Sequence, residues 1–534
     1  MTKGKVSLVG AGPWDPGLLT LKGKERLLEA EVVLYDDLVN PLLLQFAPKG
    51  AKKIYVGKRG GGKSTPQNRI HQLLIQFGKD GKKIVRLKGG DPFLFGRGSE
   101  EAMVLAKNKI PFEVVPGVTS AIAGPAYAGI PVSDRNYASS VGIFTGTERP
   151  DQEVSRLQWE KFATGVDTLI FLMGVRRLPE IVKGLVSHGR VAKTPCALIE
   201  WGTSFRQKTV TGTLKTIVRV SKGIHPPAVF VVGEVVRLRR FLNWYESKPL
   251  FGKRVLVTRP KGQTESFARI LEEKGAEILS LPTSEIVPLG KQKELDKLFA
   301  SLHEYDWCFF NSVNGVQIFL SHYEKLGKSL WALKHLKIAA IGPKTEEALE
   351  KGGLAVSLVP RTYTQEGLVA RIREKRMNLR GKKVLLFHAR GARTHLSSSL
   401  KKMGASVTVL PLYASRKSSL SSRPILEAFK KGEIDIITFT SASCVDHFFE
   451  FFPRVSPKAL VNGTRVASIG PVTSKQCRSH GLRVAIEAKR HTSEGLLEAI
   501  VKKVRFRNEP RTLCFAKRSI RGERKLKWDF RLYD

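Results

Sequence analysis

Cysteine is scarce in this chain, with five residues in 534, an odd number at wide spacings. No two cysteines form a CxxC pair, so the sequence predicts neither a disulfide framework nor a metal site. Long apolar runs are also lacking: the longest, TLIFLMGV, is strand-sized, well short of the roughly 18 residues that cross a bilayer. The opening MTKGKVSLVGAG enters a strand pattern at once, without a signal-peptide core. These absences favour a cytoplasmic protein that does not enter a membrane.

Acidic side chains are the second scarcity, with 48 Asp and Glu against 90 Lys and Arg, a net charge of +42. Such a balance fits binding to nucleic-acid phosphates, attraction of a small polyanionic substrate, or simply a solvated basic surface. The cations are spread along the whole chain, so charge alone leaves all three explanations open. The 42% hydrophobic and 26% charged content is typical of a folded protein.

Two α/β blocks meet near NWYESKPLFGKRVLVTRP. Short apolar strands such as VSLVGAG, KKIVRLKGG and PAVFVVGEV alternate with helical stretches in the first block, a pattern typical of mostly parallel sheets. We expect a first domain over 1–246, a linker over 247–251, a second domain over 252–503 and a basic tail over 504–534.

An internal repeat organises the second block. KRVLVTRP aligns with KKVLLFHA, IAAIGPKT with VASIGPVT, and TQEGL with TSEGL. The spacing is nearly constant: 129 residues from Gly275 to Gly404 and 128 from Gly367 to Gly495. Two copies of one α/β unit predict a bilobed body with a ligand cleft between its lobes.

Glycines and cations are dense in two stretches of the first block. VSLVGAGPWDP places Gly10 and Gly12 directly after a strand, where the backbone can approach a ligand. IVRLKGGDPFLFGRGSEE adds cations, a lone aspartate and further glycines over residues 84–101. This density predicts a charged ligand lying close to the backbone.

The first block resembles the tetrapyrrole (corrin/porphyrin) methylases, specifically the uroporphyrinogen-III C-methyltransferases, over about residues 5–246. The motifs that carry the likeness include VVLYDDLVNP, IYVGKRGGGKSTPQNRI, VRLKGGDPFLFGRGSEE and IEWGTSFRQKTVTGTL. The resemblance implies a two-lobed methylase fold, S-adenosylmethionine as methyl donor, two methylations of uroporphyrinogen III to precorrin-2, and a homodimer formed through this domain.

The same resemblance assigns site residues by motif match. It implies that Asp36 accepts and Lys58 donates a proton, although Asp36 also fits a helix cap. Arg86 and Arg97 are assigned to the acidic substrate, because guanidinium groups bind carboxylates in bidentate fashion. The residues expected to line the methyl-donor site are Pro13, Gly89, Gly90, Asp91, Leu94, Thr119, Ser120, Met173 and Gly202. Glu100 and Glu101 are expected to support the following helix N-terminus.

The second block resembles uroporphyrinogen-III synthase over about residues 252–503, through VLVTRP and the paired IGPxT and TxEGL motifs. This implies a bilobed α/β fold, with lobe one about 252–286 and 414–503 and lobe two about 287–413, that closes hydroxymethylbilane without a cofactor. Tyr413 matches a tyrosine proposed to assist, with core packing as the alternative. The remaining candidate substrate ligands, each of which could instead cap a helix, are Ser312, Thr345, Ser441 and Thr473.

Four positions depart from the methylase pattern: Trp14 stands where glycine is common, and Asp134, Asn136 and Thr147 replace other usual residues. These departures bear on substrate contacts rather than on the reaction class.

A bifunctional enzyme of tetrapyrrole synthesis, acting on hydroxymethylbilane and uroporphyrinogen III and not on nucleic acid, is therefore the leading hypothesis. Its product serves sirohaem or cobalamin synthesis. The alternatives are an RNA methyltransferase of the same fold class and a non-enzymatic RNA-binding protein, for which no RGG, RRM or KH signature is found.

Overall fold

The computed structural model describes residues 4–57, 65–146, 157–259, 264–289, 292–327, 329–391, 394–417, 422–453 and 455–508. Helices and strands alternate throughout these ranges, which confirms the predicted α/β class. None of the helices described is both long and apolar enough to cross a membrane.

The first sheet is built from the N-terminal strands and is entirely parallel, in the order β3-β2-β4-β1-β5. Its strands are β1 (Lys5–Gly10), β2 (Val32–Tyr35), β3 (Lys52–Tyr55), β4 (Lys83–Lys88) and β5 (Phe112–Val115). The helices of this part are α1 (Leu21–Leu28), α2 (Gln67–Lys79), α3 (Gly98–Lys107) and α4 (Ser120–Tyr127). Strands β1 and β4 are buried along nearly their whole length, because helices cover both faces of the sheet.

The second sheet is mixed, in the order β6-β7-β10-β8-β9. Its strands are β6 (Val141–Thr145), β7 (Thr168–Leu172), β8 (Pro195–Glu200), β9 (Lys208–Thr213) and β10 (Ala228–Val232). The accompanying helices are α5 (Trp159–Phe162), α6 (Leu178–Ser187), α7 (Ile217–Val220) and α8 (Arg239–Leu242). Both β7 and β8 run antiparallel to β10, so their carboxyl ends meet at the same edge. These two sheets form the N-terminal module.

The C-terminal module has two further sheets, ordered β12-β11-β18-β19-β20 in the first lobe and β13-β17-β16-β14-β15 in the second. The strands are β11 (Arg254–Val257), β12 (Glu277–Ser280), β13 (Ser284–Pro288), β14 (Trp307–Phe310), β15 (Lys337–Ala340), β16 (Lys383–Ala389), β17 (Ser406–Lys417), β18 (Ile436–Phe439), β19 (Arg465–Ser468) and β20 (Val484–Glu487). The helices are α9 (Thr264–Glu273), α10 (Gln292–Ala300), α11 (Val313–Lys325), α12 (Pro343–Lys351), α13 (Gln365–Glu374), α14 (His395–Lys402), α15 (Arg423–Lys430), α16 (Ala442–Glu450), α17 (Pro457–Leu460), α18 (Pro471–Ser479) and α19 (Ser493–Asn508).

The predicted repeat is visible in both sheets of this module. The repeated segments give β11 and β12 in one copy and β16 and β17 in the other, followed by β14 and β15 or by β18 and β19. The sheet orders show that β11 pairs with β18, from the other copy, and β16 pairs with β14. Each lobe is therefore assembled from pieces of both copies. The domain and lobe boundaries drawn from the sequence remain predictions.

The two modules touch through an ordered junction. The Arg254 guanidinium lies 4.7 Å from the ring centroid of Phe205, and it forms ion pairs with Glu277 and Glu433 of its own module. Tyr245 packs edge-on against Phe251, with ring centroids 5.3 Å apart. The first strand of the C-terminal module thus contacts a loop that follows β8 of the N-terminal module.

Candidate active sites

Three glycine-containing loops converge at the carboxyl edge of the first sheet. The amide of Gly12 donates to the carbonyl of Gly90 at 3.2 Å, and the amide of Gly90 donates back at 3.0 Å. A Cβ at Gly10 would lie 2.5 Å from Cα of Gly117, and one at Gly117 would lie 2.3 Å from the carbonyl oxygen of Gly90. Only glycine permits this approach. Sequence reasoning missed Gly117, although a glycine just after β5 in VVPGVTS was an available signal.

Asp91 organises two of these loops. Its Oδ1 accepts hydrogen bonds from the amides of Phe93 at 2.7 Å and Leu94 at 3.0 Å, while its Oδ2 accepts one from Gly117 at 3.0 Å. A carboxylate has about four acceptor positions, so three internal bonds leave little capacity for a ligand. The geometry favours a loop-shaping role for Asp91.

The N-terminus of α4 faces the same edge. Thr119 is the N-cap residue, and its Oγ1 accepts from the amide of Ala121 at 3.3 Å. Gly90 has φ +68°, and a Cβ there would meet only the Ser120 amide nitrogen, at 3.9 Å. The missing side chain therefore leaves space in front of a helix N-terminus, as a bound nucleoside or carboxylate requires.

The second sheet contributes loops from β7 and β8. A Cβ at Gly202 would lie 3.0 Å from Cα of Gly124 in α4, so this loop packs closely on that helix. The hydroxyl of Thr203 donates to the carbonyl of Pro13 and accepts from the amide of Asp15 at 3.2 Å. Met173 follows β7 and is 51% exposed. The structure thus brings Pro13, Gly90 and Gly202 to one cleft, and Met173 lies at the end of β7, which ends at the same edge of the sheet as β8.

Left-handed backbone is concentrated around this cleft. Of the eight non-glycine residues with positive φ among the residues described, six lie in its loops: Trp14, Phe95, Arg97, Met173, Trp201 and Thr203. Each costs on the order of 1 kcal/mol or more, and such strain accumulates at functional sites. Trp14, at φ +71°, stands where the methylases commonly have glycine, and packs edge-on against Trp201 at 5.2 Å. Trp201 and Thr203 were missed because φ cannot be read from these residue types.

Asp36 lies just after β2 with its side chain 27% exposed, and its Oδ1 accepts from Nη2 of Arg86 at 2.7 Å. Arg86 is 2% exposed, and its Nε also reaches Glu101 at 3.2 Å. Sequence reasoning assigned Arg86 to the substrate, but the geometry favours an internal role, since both ends of the guanidinium are occupied by carboxylates. Glu101 does lie in the first turn of α3, and it is fully buried.

Arg97 is 57% exposed and forms a bidentate ion pair with Glu100, at 2.9 and 2.8 Å. It remains accessible to an acidic substrate. Asp134 accepts from the amide of Asn136 at 2.9 Å and so closes its own turn. Lys58 and Thr147 lie outside the described residues.

A hydroxyl pair marks the second lobe of the C-terminal module. Oη of Tyr413, on β17, lies 2.8 Å from Oγ of Ser312. Ser312 is the N-cap of α11 and accepts from the amide of Gly315 at 3.1 Å. The Tyr413 ring is 7% exposed and packs in the core of its lobe. The structure is therefore compatible with both roles that the sequence suggests for Tyr413, assistance in ring closure and packing in the core.

The other three candidates of this module also occupy helix starts. Thr345 and Thr473 lie in the first turns of α12 and α18 and are 4% and 3% exposed. Ser441 caps α16, and its Oγ accepts from the amide of Cys444 at 3.2 Å. Ser441 and Thr473 belong to the first lobe, whereas Ser312, Thr345 and Tyr413 belong to the second.

Comparison with known proteins divides the chain into the same two modules. Residues 5–218 match the model of the tetrapyrrole (corrin/porphyrin) methylases, and residues 265–498 match that of uroporphyrinogen-III synthase HemD. The porphyrin biosynthesis protein HemD of Ruminiclostridium josui is 35% identical over 94% of this chain and 98% of its own length. The uroporphyrinogen-III C-methyltransferase of Priestia megaterium is 52% identical over 44% of this chain and 98% of its own.

Among solved structures, a Thermus thermophilus uroporphyrin-III C-methyltransferase in complex with S-adenosylhomocysteine is 39% identical, with a TM-score of 0.38, over 44% of this chain and 94% of its own. The Ruminiclostridium josui protein is similar to this chain along nearly the whole length of both, and each module matches the model of one family. The chain therefore belongs to the tetrapyrrole methylases through its N-terminal module and to the uroporphyrinogen-III synthases through its C-terminal module.

Proposed function

We propose that this chain catalyses two consecutive steps of tetrapyrrole synthesis. The C-terminal module closes hydroxymethylbilane to uroporphyrinogen III, and the N-terminal module methylates that product twice with S-adenosylmethionine to give precorrin-2. The observation that carries this proposal is the presence of both families on one chain, because the product of one is the substrate of the other. The RNA methyltransferase alternative leaves the synthase module without a purpose.

The cleft of the N-terminal module suits the methyl donor. It combines the space beside Gly90, the N-terminus of α4 and the half-exposed side chain of Met173. Leu94, half-buried against the core cluster that includes Ala121 of α4, is proposed to border it. Backbone amides can bind the carboxylate of the donor, and a thioether side chain is a soft contact for its apolar parts. When bound, S-adenosylmethionine supplies an electrophilic methyl group. The chain supplies orientation, on which such an in-line displacement depends.

Proton transfer and substrate binding complete the methylase proposal. Asp36, partly exposed at the end of β2, is the proposed proton acceptor, and Lys58 is the proposed donor. Arg97 is the stronger candidate for the carboxylates of uroporphyrinogen III, because its side chain is 57% exposed whereas that of Arg86 is 2% exposed. Arginine can exchange its exposed partner Glu100 for a substrate carboxylate at little cost.

For ring closure, we propose that the hydroxyl of Tyr413 assists departure of the substrate hydroxyl as water. Its bond to Ser312 places it at the N-terminus of α11, where backbone amides also favour substrate carboxylates. Thr345 of the same lobe and Ser441 and Thr473 of the first lobe are proposed to add contacts to those carboxylates. No cofactor is required for this step.

The cellular setting is also a proposal. We place the enzyme in the cytoplasm as a homodimer through its methylase module, serving sirohaem or cobalamin synthesis. The support is the resemblance to the methylase family and, among relatives, siroheme synthases such as that of Pseudomonas fluorescens, 47% identical over 46% of this chain.

A single incubation tests the function. Purified protein is given hydroxymethylbilane and labelled S-adenosylmethionine, and the products are separated by mass. We expect a tetrapyrrole carrying two added methyl groups, with uroporphyrinogen III accumulating when the methyl donor is left out. Unmethylated symmetric isomer as the sole product, together with label transferred to added ribosomal RNA, would refute the proposal.

A further inference from the structure

We propose that Glu101 is a positioning residue for methyl transfer: it anchors Arg86 and Lys88 so that Arg86 holds the carboxylate of Asp36 at the cleft. This inference rests on the proposed function of the N-terminal module. It assigns a role to a carboxylate that does not itself reach the cleft.

The contacts run in an unbroken line from the core to the cleft. Oε1 of Glu101 accepts from Arg86 Nε at 3.2 Å, from Lys88 Nζ at 3.1 Å and from Gln67 Nε2 at 3.0 Å. The other end of the guanidinium donates to Oδ1 of Asp36 at 2.7 Å. Exposure rises along this line, from 0% for Glu101 through 2% for Arg86 to 27% for Asp36. Asp36 is thus the point at which the buried network meets the cleft.

The charges in the network balance. Arg86 and Lys88 face two carboxylates, those of Glu101 and Asp36. Burial alone would raise the pKa of Glu101, but the two neighbouring cations outweigh it and lower that pKa, so the carboxylate is ionised. Burial lowers the pKa of Lys88, whereas the carboxylate of Glu101 raises it. The charged form of Lys88 is therefore stabilised by its contact with Glu101. Removing one charge therefore leaves an uncompensated charge beside the others.

Fold stability is a poor explanation for this arrangement. Among the residues that the structure describes, Oε2 of Glu101 has no hydrogen-bond partner, although it is buried. Buried ionic clusters that are only partly satisfied are in general less stabilising than apolar packing of the same volume. This ionic cluster lies at the centre of the sheet and ends at the proposed proton acceptor, Asp36. A role in positioning that acceptor explains the cluster better than a contribution to fold stability does.

The network also adjoins the proposed donor loop. The carbonyl of Lys88 accepts from the amide of Ala11 at 2.8 Å, and Lys88 directly precedes Gly89 and Gly90. The same residue thus contacts the anchor through its side chain and the glycine loops through its backbone. Displacement of the anchor is expected to misalign the proton acceptor relative to the methyl donor.

The test is Glu101→Gln, which removes the charge while keeping the shape. With uroporphyrinogen III as substrate, we expect kcat for methyl transfer to fall by about tenfold or more, since small misplacements of catalytic groups have effects of this size. S-adenosylhomocysteine affinity, measured by calorimetry, should stay within about twofold, because no network side chain is proposed to touch the donor.

Glu113→Gln is the matched control. Glu113 belongs to β5 of the same sheet and has its own cationic partners, Lys5, Lys22 and Arg26, at 3.1, 3.3 and 2.7 Å. It lies away from the strand ends that form the cleft, so its loss should lower the unfolding temperature but leave kcat unchanged. If Glu101→Gln does not fold, Lys88→Met tests the same proposal. We expect its kcat for methyl transfer to fall by less than the roughly tenfold expected for Glu101→Gln.

Two results would overturn the positioning role: full kcat per folded molecule in the variant, or a fall in kcat that Glu113→Gln reproduces in proportion to its loss of stability. Absence of methyl transfer by the unmodified protein would instead refute the proposed function, so the two failures are distinguishable.

Discussion

At the scale of single residues, two side chains of the cleft, Asp91 and Thr203, make hydrogen bonds that hold its loops in place. Asp91 binds three backbone amides, and Thr203 connects the loop after β8 to Pro13. The sequence motif places Asp91 in a predicted site without indicating whether its carboxylate touches the ligand, and Thr203 was not predicted at all.

Asp91→Ala tests loop shaping. The substitution leaves the amides of Phe93, Leu94 and Gly117 without their acceptor, and each unsatisfied group costs on the order of 1 kcal/mol. We expect the affinity for S-adenosylhomocysteine to fall by about tenfold, while ring closure is unaffected. Calorimetry and a cyclisation assay on the same sample measure both.

Asp167→Ala is a suitable control, since Asp167 also accepts from two backbone amides, those of Ser139 and Ser140, each at 2.9 Å, in an exposed turn of the second sheet. It should change stability without changing donor affinity. Equal loss of donor binding and ring closure in Asp91→Ala would contradict the assignment of separate sites.

Tyr413→Phe tests the proposed acid in the C-terminal module. The ring keeps its place in the core while the hydroxyl that contacts Ser312 is lost. We expect cyclisation to slow by about a hundredfold, as for loss of a general acid, with methyl transfer to supplied uroporphyrinogen III unchanged.

Tyr323→Phe provides the comparison. Tyr323 packs in the same core, and its hydroxyl donates to the carbonyl of Ser329 at 3.3 Å, away from Ser312. A cyclisation rate equal in the two variants and the parent would assign Tyr413 to packing alone.

The close backbone approach at Gly10 and Gly12 could be predicted from the sequence, because a glycine after a parallel strand has a direct steric meaning, but Gly117 was missed. The sequence predicted Arg86 less well. The residues Arg86, Lys88 and Glu101 are spaced along a strand and a helix, and nothing in that spacing says that they share one buried oxygen. Burial of charge depends on which elements pack together, and that is decided by the tertiary fold.

At the scale of helices and strands, the repeat is reproduced down to its caps. Thr364 and Thr492 cap α13 and α19, and they accept from the amides of Gly367 and Gly495 at 3.0 and 3.1 Å. A Cβ at either glycine would clash with a backbone carbonyl, at 2.0 or 2.2 Å. The TxEGL motif was therefore readable as a helix start. The pairing of β11 with β18, a strand of the other copy, could not be predicted from the sequence. The two copies are similar in sequence, so the similarity does not indicate which copy supplies the partner of a given strand.

Glu113 ties β5 to β1 and α1, and its titration is a test of that packing. Burial raises its pKa, but hydrogen bonds from Lys5, Ser7 and Lys22 outweigh this and lower it from 4.5 to about 2. Because the folded-state pKa is depressed, the stabilisation is present above pH 4.5 and is lost as the pH falls towards 2. Denaturant unfolding of the protein and of Glu113→Gln should therefore differ most at neutral pH and converge in acid.

Glu29→Gln is the control, since Glu29 is 54% exposed and its ion pair with Lys83 is longer, at 3.6 Å. Its effect on the free energy of unfolding should stay within about 0.5 kcal/mol. A constant difference between Glu113→Gln and the parent across this pH range would contradict the inferred packing.

At the scale of the whole molecule, the C-terminal module builds its sheets from strands of its own chain segment, 254–487, and its cores close without the N-terminal module. We expect the segment 252–503, or 250–508 so that α19 is complete and the fully buried Leu250 of the core is included, to cyclise hydroxymethylbilane when expressed alone. Cyclisation per folded molecule should stay within about threefold of the full chain. A soluble, folded segment without activity would show that the site needs the other module.

The contact between Arg254 and Phe205 has a consequence for the separated modules. On the isolated C-terminal segment the guanidinium loses the Phe205 ring but keeps its ion pairs with Glu277 and Glu433. On the isolated N-terminal module the Phe205 ring keeps its contact with Arg206, so neither product is left with an unpaired buried charge.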